Sequence, residues 1–167
     1  MIYSRPIRTL SETKGRYPTE DEVNECLGWA DSLPERLRSS NLLASKEADI
    51  VREAIEEMKP KYPRFGAQHD RAYEKGARDL SSLIRYAVQA MVVDDVEMPK
   101  EKLYVWYGTI IRSLGLTPAF AKDSCQAVYD AARRQLAPDA FNIAEPYLAR
   151  MIEDVSAYPE PMKPSVN

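Results

Sequence analysis

The residue types most often used in catalysis are few in this chain and lie far apart. Its 167 residues include two cysteines, Cys26 and Cys125, and one histidine, His69. The cysteines do not have the spacing of a zinc site or of a CxxC redox motif. No Gly-rich phosphate loop, HExxH or GxSxG motif is present, and a single histidine leaves little choice of base for either thiol. We therefore expect no enzymatic activity and two buried, unpaired thiols.

Two groups of residues could hold a metal ion. His69 could ligate haem iron, but it precedes the longest helical pattern, whereas a proximal ligand should come from the following core helix. A surface or capping role is expected for it instead. Asp94, Asp95 and Glu97 could bind a cation, although three carboxylates also suit a charged turn before a helix that starts at Pro99. We therefore expect no metal site.

The composition describes one domain without a strong charge bias. Lys and Arg total 23 against 26 Asp and Glu, a net charge of -3 that gives no overall reason to expect a nucleic-acid partner. Hydrophobic residues make up 44%, enough for one core. The most apolar stretch, residues 87–93, is too short to span a membrane, and the N-terminus does not read as a signal peptide. We expect one soluble, unexported domain over residues 1–157 and a proline-rich flexible tail over 158–167.

Apolar residues recur at helical spacing between proline and glycine breaks, and no strand-like alternation is long enough for a sheet. Thr19 and Glu22 form a capping-box pattern, and Thr117 with the following proline forms another helix start. Proline 34 and proline 146 predict a bend or an interruption. The predicted fold class is therefore all-α, with helices over about residues 20–39, 45–59, 70–93, 99–114, 118–136 and 138–157.

Several short motifs occur in an order typical of one family. The chain resembles the phycobiliproteins, the light-harvesting subunits of cyanobacterial phycobilisomes, and in particular phycocyanin and allophycocyanin subunits, over roughly residues 10–156. The resemblance implies a globin-like fold with a short N-terminal dimerisation arm. The motifs that carry it are Gly15-Arg16-Tyr17, Lys61-Tyr62-Pro63, Lys75-Gly76-Ala77-Arg78-Asp79, Arg112-Ser113-Leu114-Gly115 and the segment 144–152 with Tyr147-Leu148.

The chain departs from the family at the pigment attachment position. Family members carry Lys-Cys-Ala-Arg-Asp in the long helix, and the cysteine sulfur forms a thioether with a linear tetrapyrrole, or bilin. Gly76 takes that place here. Glycine has no side-chain atom that could form the bond, and neither cysteine of the chain matches a family attachment position. A covalently attached bilin is therefore excluded at Gly76.

Arg78 and Asp79 match two family residues that contact the pigment. In the family, the aspartate accepts hydrogen bonds from the inner pyrrole nitrogens and the arginine pairs with a propionate. Ser81-Ser82-Leu83 replaces the usual Gly-Tyr-Tyr, which removes expected aromatic walls. Arg78 and Asp79 are accordingly either ordinary solvated residues or a non-covalent bilin site, and we expect no cofactor unless a bilin is held non-covalently.

The assembly residues of the family are better matched. Family subunits pair when an acid and an aromatic residue near one N-terminus meet an arginine of the partner's long helix, and Glu12, Tyr17 and Arg85 occupy those positions. The resemblance therefore implies a homodimer or a pair with a phycobiliprotein-type subunit. Without pairing, Arg85 would simply be exposed and Tyr17 would pack onto the first helix.

Retained assembly residues and a lost attachment residue together favour one function. The expected protein is a non-pigmented interaction subunit linked to phycobilisome assembly, attachment or turnover. The alternative is an antenna or sensor protein that binds a bilin non-covalently. The resemblance places either protein in the cytoplasm, or at the cytoplasmic face of the thylakoid membrane, without membrane insertion and without a nucleic-acid partner.

Overall fold

The computed structural model describes residues 5–12 and 15–161, and these residues contain helices and no strand. The predicted all-α fold class is confirmed. A short π-helical turn, Lys100–Tyr104, leads directly into α5. The α-helices are α1 (Arg5–Glu12), α2 (Glu20–Lys61), α3 (Pro63–Ala67), α4 (Ala72–Val93), α5 (Val105–Ser113), α6 (Pro118–Gln135) and α7 (Pro138–Val155).

The core lies where the second half of α2, α4, α6 and α7 pack on one another. Helix α2 contacts the other three, so it runs along the whole core. Most apolar side chains of α6 are buried, as are the core-facing apolar side chains of α4 and α7. Side chains with no exposed surface include Leu43, Ile50, Ile84, Met91, Val128 and Leu148.

Helix α2 is one continuous helix of 42 residues, so the predicted separation into helices over 20–39 and 45–59 is wrong. Pro34 cannot donate to the carbonyl of Ala30, but both residues are exposed, and that carbonyl can bond to water. Ser40 and Leu43 are buried in the core, so packing keeps the segment between the two predicted helices helical.

Solvent exposure also explains why the last helix is not interrupted at its internal proline. Helix α7 runs without interruption through Pro146, which is exposed, as is Asn142, the residue whose carbonyl loses its donor. Pro6 lies in the first turn of α1, where proline removes no intrahelical hydrogen bond. Pro34 and Pro146 therefore lie on the solvent side of their helices, whereas Pro63, Pro118 and Pro138 stand at helix starts.

The predicted helix starts are confirmed in atomic detail. The backbone N–H of Thr19 donates to Glu22 Oε2 at 2.7 Å, and the Glu22 N–H donates to Thr19 Oγ1 at 3.3 Å. Arg16 adds two hydrogen bonds to the Glu22 carboxylate, and these contacts together hold the pKa of Glu22 at about 2. At α6, the Phe120 N–H donates to Thr117 Oγ1 at 3.2 Å.

A buried arginine joins α2 to the end of α4. Arg36 is only 4% exposed, and its guanidinium donates to the carbonyl oxygens of Val92 and Trp29, each at 2.6 Å, and of Met91 at 3.2 Å. Trp29 Nε1 donates to the carbonyl of Val93 at 3.2 Å. Since the last carbonyls of a helix have no intrahelical donor, Arg36 and Trp29 satisfy the carbonyls of Val92 and Val93 at the end of α4.

The predicted flexible tail begins with residues that contact the domain. The Tyr158 hydroxyl donates to the carbonyls of Thr117 at 2.7 Å and Leu116 at 3.2 Å, and a Cβ added at Gly108 would lie 3.1 Å from the Tyr158 ring. The Arg112 side chain donates to the Glu160 carbonyl at 3.4 Å. Residues 158–161 therefore lie against α5, and the rest of the predicted tail is outside the described residues.

Two helices carry apolar side chains that the described part of the chain leaves largely exposed. On α5, Trp106 is 67% exposed and Ile110 is 54% exposed. In the first half of α2, Leu27 is 56% exposed. Across residues 5–12 and 15–161, the structure contains no helix that is both long enough and apolar enough to cross a membrane.

Candidate functional site

A cavity of about 330 Å³ lies between α2, α3, α4, α5 and α6. This volume is at the small end of the usual range for small-molecule sites, about 300–1,000 Å³. The lining is mainly apolar and aromatic, and its polar groups come from α4, from Gln68 and His69 before it and from Ser124 of α6. It includes Ile55, Met58, Tyr62, Phe65, Tyr73, Lys75, Gly76, Arg78, Asp79, Tyr107, Ile111, Leu114 and Phe120.

One wall of the cavity is a cluster of aromatic rings. The Phe65 and Phe120 ring centroids are 5.0 Å apart, and Tyr62 packs edge-on against Phe120 at the same separation. Tyr73 lies 5.5 Å from Phe65 in an edge arrangement. The Tyr62 hydroxyl donates to the Asp123 carboxylate, and burial raises the pKa of Tyr62 well above its usual range. The rings of this wall are therefore closely packed, and the Tyr62 hydroxyl is fixed by its hydrogen bond to Asp123.

The Phe65 ring explains why a glycine is accommodated in the middle of α4. A Cβ atom added at Gly76 would lie 3.3 Å and 3.4 Å from two ring atoms of Phe65, and 3.7 Å from Ile55 Cδ1. Helix α3, which the sequence did not predict, begins at Pro63 and brings this ring against α4. The space into which an attachment side chain would project is therefore partly filled by Phe65.

The two pigment-contact residues of the resemblance lie at the same cavity. Asp79 is half-buried, and burial raises the pKa of its carboxyl, an effect that the neighbouring Arg78 guanidinium opposes. Within the described part of the chain, no group donates a hydrogen bond to the Asp79 carboxylate. Arg78 is exposed at the cavity edge. Leu83, in place of a family aromatic, is buried in the core and does not line the cavity.

These residues fit a bilin only in part. Gly76 offers no atom for a thioether, and Phe65 lies where the link would start, so the site does not fit a covalently attached pigment. Asp79 can accept hydrogen bonds from pyrrole N–H groups, and Arg78 can pair with a propionate. A bilin has four pyrrole rings, however, and a cavity at the small end of the range holds only part of such a molecule.

The predicted assembly residues are all on the surface. Tyr17 is 94% exposed, and Glu12 is also exposed. The Arg85 side chain is 67% exposed and is held by its own chain, since its Nη2 and Nε donate to the Glu47 carboxylate at 2.8 Å and 3.0 Å. The sequence analysis did not identify Glu47. The exposed Tyr17 does not pack onto the first helix, and the pairing role of the three residues stays a prediction.

The residues that were considered as metal ligands form hydrogen bonds or ion pairs with other residues of the chain. His69 is exposed, in agreement with the expected surface role, and its Nδ1 accepts the backbone N–H of Arg71 at 2.9 Å. Asp94 accepts the Tyr147 hydroxyl at 2.6 Å, and Glu97 pairs with Arg150 at 2.8 Å. In the described ranges, no three His, Cys, Asp or Glu side chains come together as a metal-binding group.

The two thiols differ in their surroundings. Cys125 is buried in the core, and burial raises the pKa of its thiol to about 12. Cys26 is only partly buried, so the expectation of two buried thiols holds for Cys125 alone. A thiol with so high a pKa is protonated at neutral pH and is a poor nucleophile.

Helices packed around one core, with a cavity beside the long helix α4, define an all-α protein of the globin-like class. The family model described as "Phycobilisome protein" matches residues 9–155. The chain therefore belongs to the phycobilisome protein family. Members of this family are structural light-harvesting proteins that assemble with other phycobiliprotein subunits, and membership supports a phycobiliprotein-like role in light harvesting. No curated protein matches the chain.

Proposed function

We propose that this protein is a non-pigmented interaction subunit that pairs with itself or with a phycobiliprotein and acts in phycobilisome assembly, attachment or turnover. The observation that carries the proposal is the packing of Phe65 against Gly76, because Gly76 has no attachment sulfur and the Phe65 ring lies close to where its side chain would begin. A subunit without a bound pigment contributes to the phycobilisome through its contacts.

The exposed assembly residues support this proposal. Tyr17 is 94% exposed and Glu12 is also exposed, so the described part of the chain covers neither side chain. The Arg85 guanidinium is fixed by Glu47, so little side-chain entropy remains to be lost when a partner's carboxylate binds beside it. Fixed, exposed charges of this kind suit a subunit interface.

Replacing Arg85 by alanine is expected to weaken pairing about tenfold or more, because truncating one member of an interfacial charge pair leaves its partner uncompensated. Sedimentation velocity over a range of protein concentrations measures the change, both for the chain alone and for its mixture with phycocyanin subunits. Arg52→Ala is the matched control, since Arg52 is equally exposed and pairs with Asp49 of its own helix.

Two results would contradict the proposal. The first is a protein that stays monomeric at all concentrations and binds no phycobiliprotein subunit. The second is a covalently attached bilin on the protein purified from cells that synthesise bilins. A mixed complex that is lost with Arg85→Ala and kept with Arg52→Ala supports it.

A second candidate function is favoured by the half-buried carboxylate of Asp79. An ionised carboxylate that faces an apolar cavity without a donor gains stability from a ligand N–H group. The second candidate is therefore an antenna or sensor protein that holds a bilin non-covalently, with Asp79 on the pyrrole nitrogens and Arg78 on a propionate. Aromatic side chains of the wall would have to move to admit all four rings.

Asp79→Asn is expected to lower the affinity for biliverdin about tenfold, because the amide keeps the shape of the carboxylate and loses its charge. Titration of the purified protein with biliverdin, followed by its visible absorption band, gives the affinity. Glu74→Gln serves as control, since Glu74 is exposed on the same helix and pairs with Arg71. Equal affinities for Asp79→Asn and the unmodified protein would count against this second function.

A further inference from the structure

The segment that leads into α4 is strongly basic in an otherwise acidic chain. Residues 59–78, the basic segment, contain six lysines and arginines and two carboxylates, a net charge of +4. The whole chain carries -3, which leaves -7 for the rest. Three of the six cations form ion pairs. The other three, Arg64, Lys75 and Arg78, are exposed and form no ion pair within the described residues.

Two hydrogen-bond donors face each other within the basic segment. His69 Nδ1 accepts the backbone N–H of Arg71 at 2.9 Å, so this nitrogen carries no proton and the ring proton is on Nε2. His69 Nε2 lies 3.3 Å from Lys75 Nζ, and an ammonium group is also a donor only. Because neither group can accept from the other, both can donate to an anionic oxygen from outside the chain, such as that of a phosphate.

A line of exposed apolar side chains on α5 ends beside these donors. The α5 line consists of Trp106, Ile110 and Leu114, which lie four residues apart on one side of the helix and its C-terminal cap. They are 67%, 54% and 58% exposed. Leu114 lines the same cavity as His69 and Lys75, so the α5 line and the basic segment border one opening.

The carboxylates near this opening do not cancel its positive charge. Within the described residues, five cations there form no ion pair, namely Lys102, Lys122 and the three of the basic segment. The carboxylates that form none are Asp70, Asp79 and Glu101. Arg112 and Glu160, further along α5, contact each other. The surface around the opening therefore keeps an excess of positive charge, which favours an anionic partner.

We propose that the basic segment and the α5 line together bind the surface of an anionic lipid bilayer, without crossing it. Trp106 and its apolar neighbours enter the boundary between headgroups and acyl chains, where tryptophan is enriched. The donors of His69 and Lys75 bind lipid phosphate oxygens, and the other cations lie over the anionic headgroups. This inference extends the attachment role in the proposed function, on which it rests for its biological meaning.

The test measures co-sedimentation of the full chain with two kinds of vesicle, pure phosphatidylcholine and equal parts of phosphatidylcholine and phosphatidylglycerol. We expect binding to the anionic vesicles to be about tenfold tighter or more, and to weaken as salt is added. Tryptophan emission should shift to shorter wavelength on binding. Trp106→Phe should abolish this shift, since the other tryptophan, Trp29, is partly buried by its own chain.

Matched variants separate this surface from general attraction to lipid. Ile110→Ser is expected to weaken binding to anionic vesicles about tenfold, whereas Leu27→Ser, at a similarly exposed apolar residue of α2, should leave it unchanged. The double variant Arg64→Gln, Lys75→Gln should weaken binding about tenfold or more and reduce its salt dependence. Its control is Arg38→Gln, Lys46→Gln, which removes the same two residue types from exposed positions of α2. Circular dichroism establishes that each variant keeps its helix content.

Several results would overturn the inference: no binding to either vesicle, equal binding to both, or binding that Ile110→Ser and the Arg64 and Lys75 double variant leave unchanged. Binding to soluble polyglutamate without binding to vesicles would also overturn it, because the partner would then be an acidic polypeptide. Pairing through Arg85 is measured without lipid. Failed vesicle binding alongside pairing that is lost with Arg85→Ala therefore leaves the proposed function standing and removes only this surface.

Discussion

Replacing Arg36 by leucine is expected to lower the free energy of unfolding by about 3–5 kcal/mol. Leucine keeps apolar packing but loses the guanidinium hydrogen bonds to the carbonyls of Trp29, Met91 and Val92, and a hydrogen bond to a charged group contributes about 1.5–3 kcal/mol. It also removes the positive charge that stabilises the C-terminal end of α4. Urea unfolding followed by circular dichroism measures the loss.

The control for this prediction lies two residues further along the same helix. Arg38 is exposed, so Arg38→Leu should change the free energy of unfolding by no more than about 0.5 kcal/mol. Equal stabilities of the Arg36 and Arg38 variants would show that the buried guanidinium does not join α2 to α4 as its hydrogen bonds indicate.

Phe120→Ala is expected to cost about 3–5 kcal/mol and to enlarge the cavity at the aromatic wall. Phe120 is 7% exposed and packs against both Phe65 and Tyr62, so removing its ring leaves a void continuous with the existing cavity. Urea unfolding gives the stability change. Binding of the dye 8-anilinonaphthalene-1-sulfonate below the unfolding transition reports the enlarged cavity and should become tighter.

Phe141→Ala is a closely matched control for this experiment. Phe141 is 6% exposed and also packs edge-on against a tyrosine, Tyr129, but it does not line the cavity. It should lose a similar free energy of unfolding without any gain in dye binding. A comparable gain in both variants would mean that the dye reports general loosening of the core, which would contradict the assigned position of Phe120.

Helix type and the main apolar positions were predictable from the sequence, whereas the continuity of the helices was not. Capping at Thr19 and Thr117 involves only residues close in sequence, so it can be predicted from the local sequence. The effect of Pro34 and Pro146 depends on which side of the helix faces water, and this is decided by the packing of other helices. The prediction therefore placed breaks where the chain has none.

The candidate site, too, could be predicted from the sequence only in part. The lack of a sulfur at Gly76 is visible in the sequence, but the Phe65 ring reaches Gly76 only because the short helix α3 turns back onto α4. Arg36 carried no sequence signal, since its partners are backbone carbonyls, two of them more than fifty residues away on α4. The pairing of Glu47 with Arg85 depends on the packing of α2 on α4, which no local pattern encodes.

The uninterrupted α2 helix has a mechanical consequence. At 42 residues it is about 60 Å long, and the same rigid rod carries exposed apolar side chains such as Leu27 in its first half and core residues such as Ile50 in its second half. No linker or hinge separates the two parts, so the exposed part is held at a set angle to the domain. A partner bound through that part would be fixed in orientation as well as in distance.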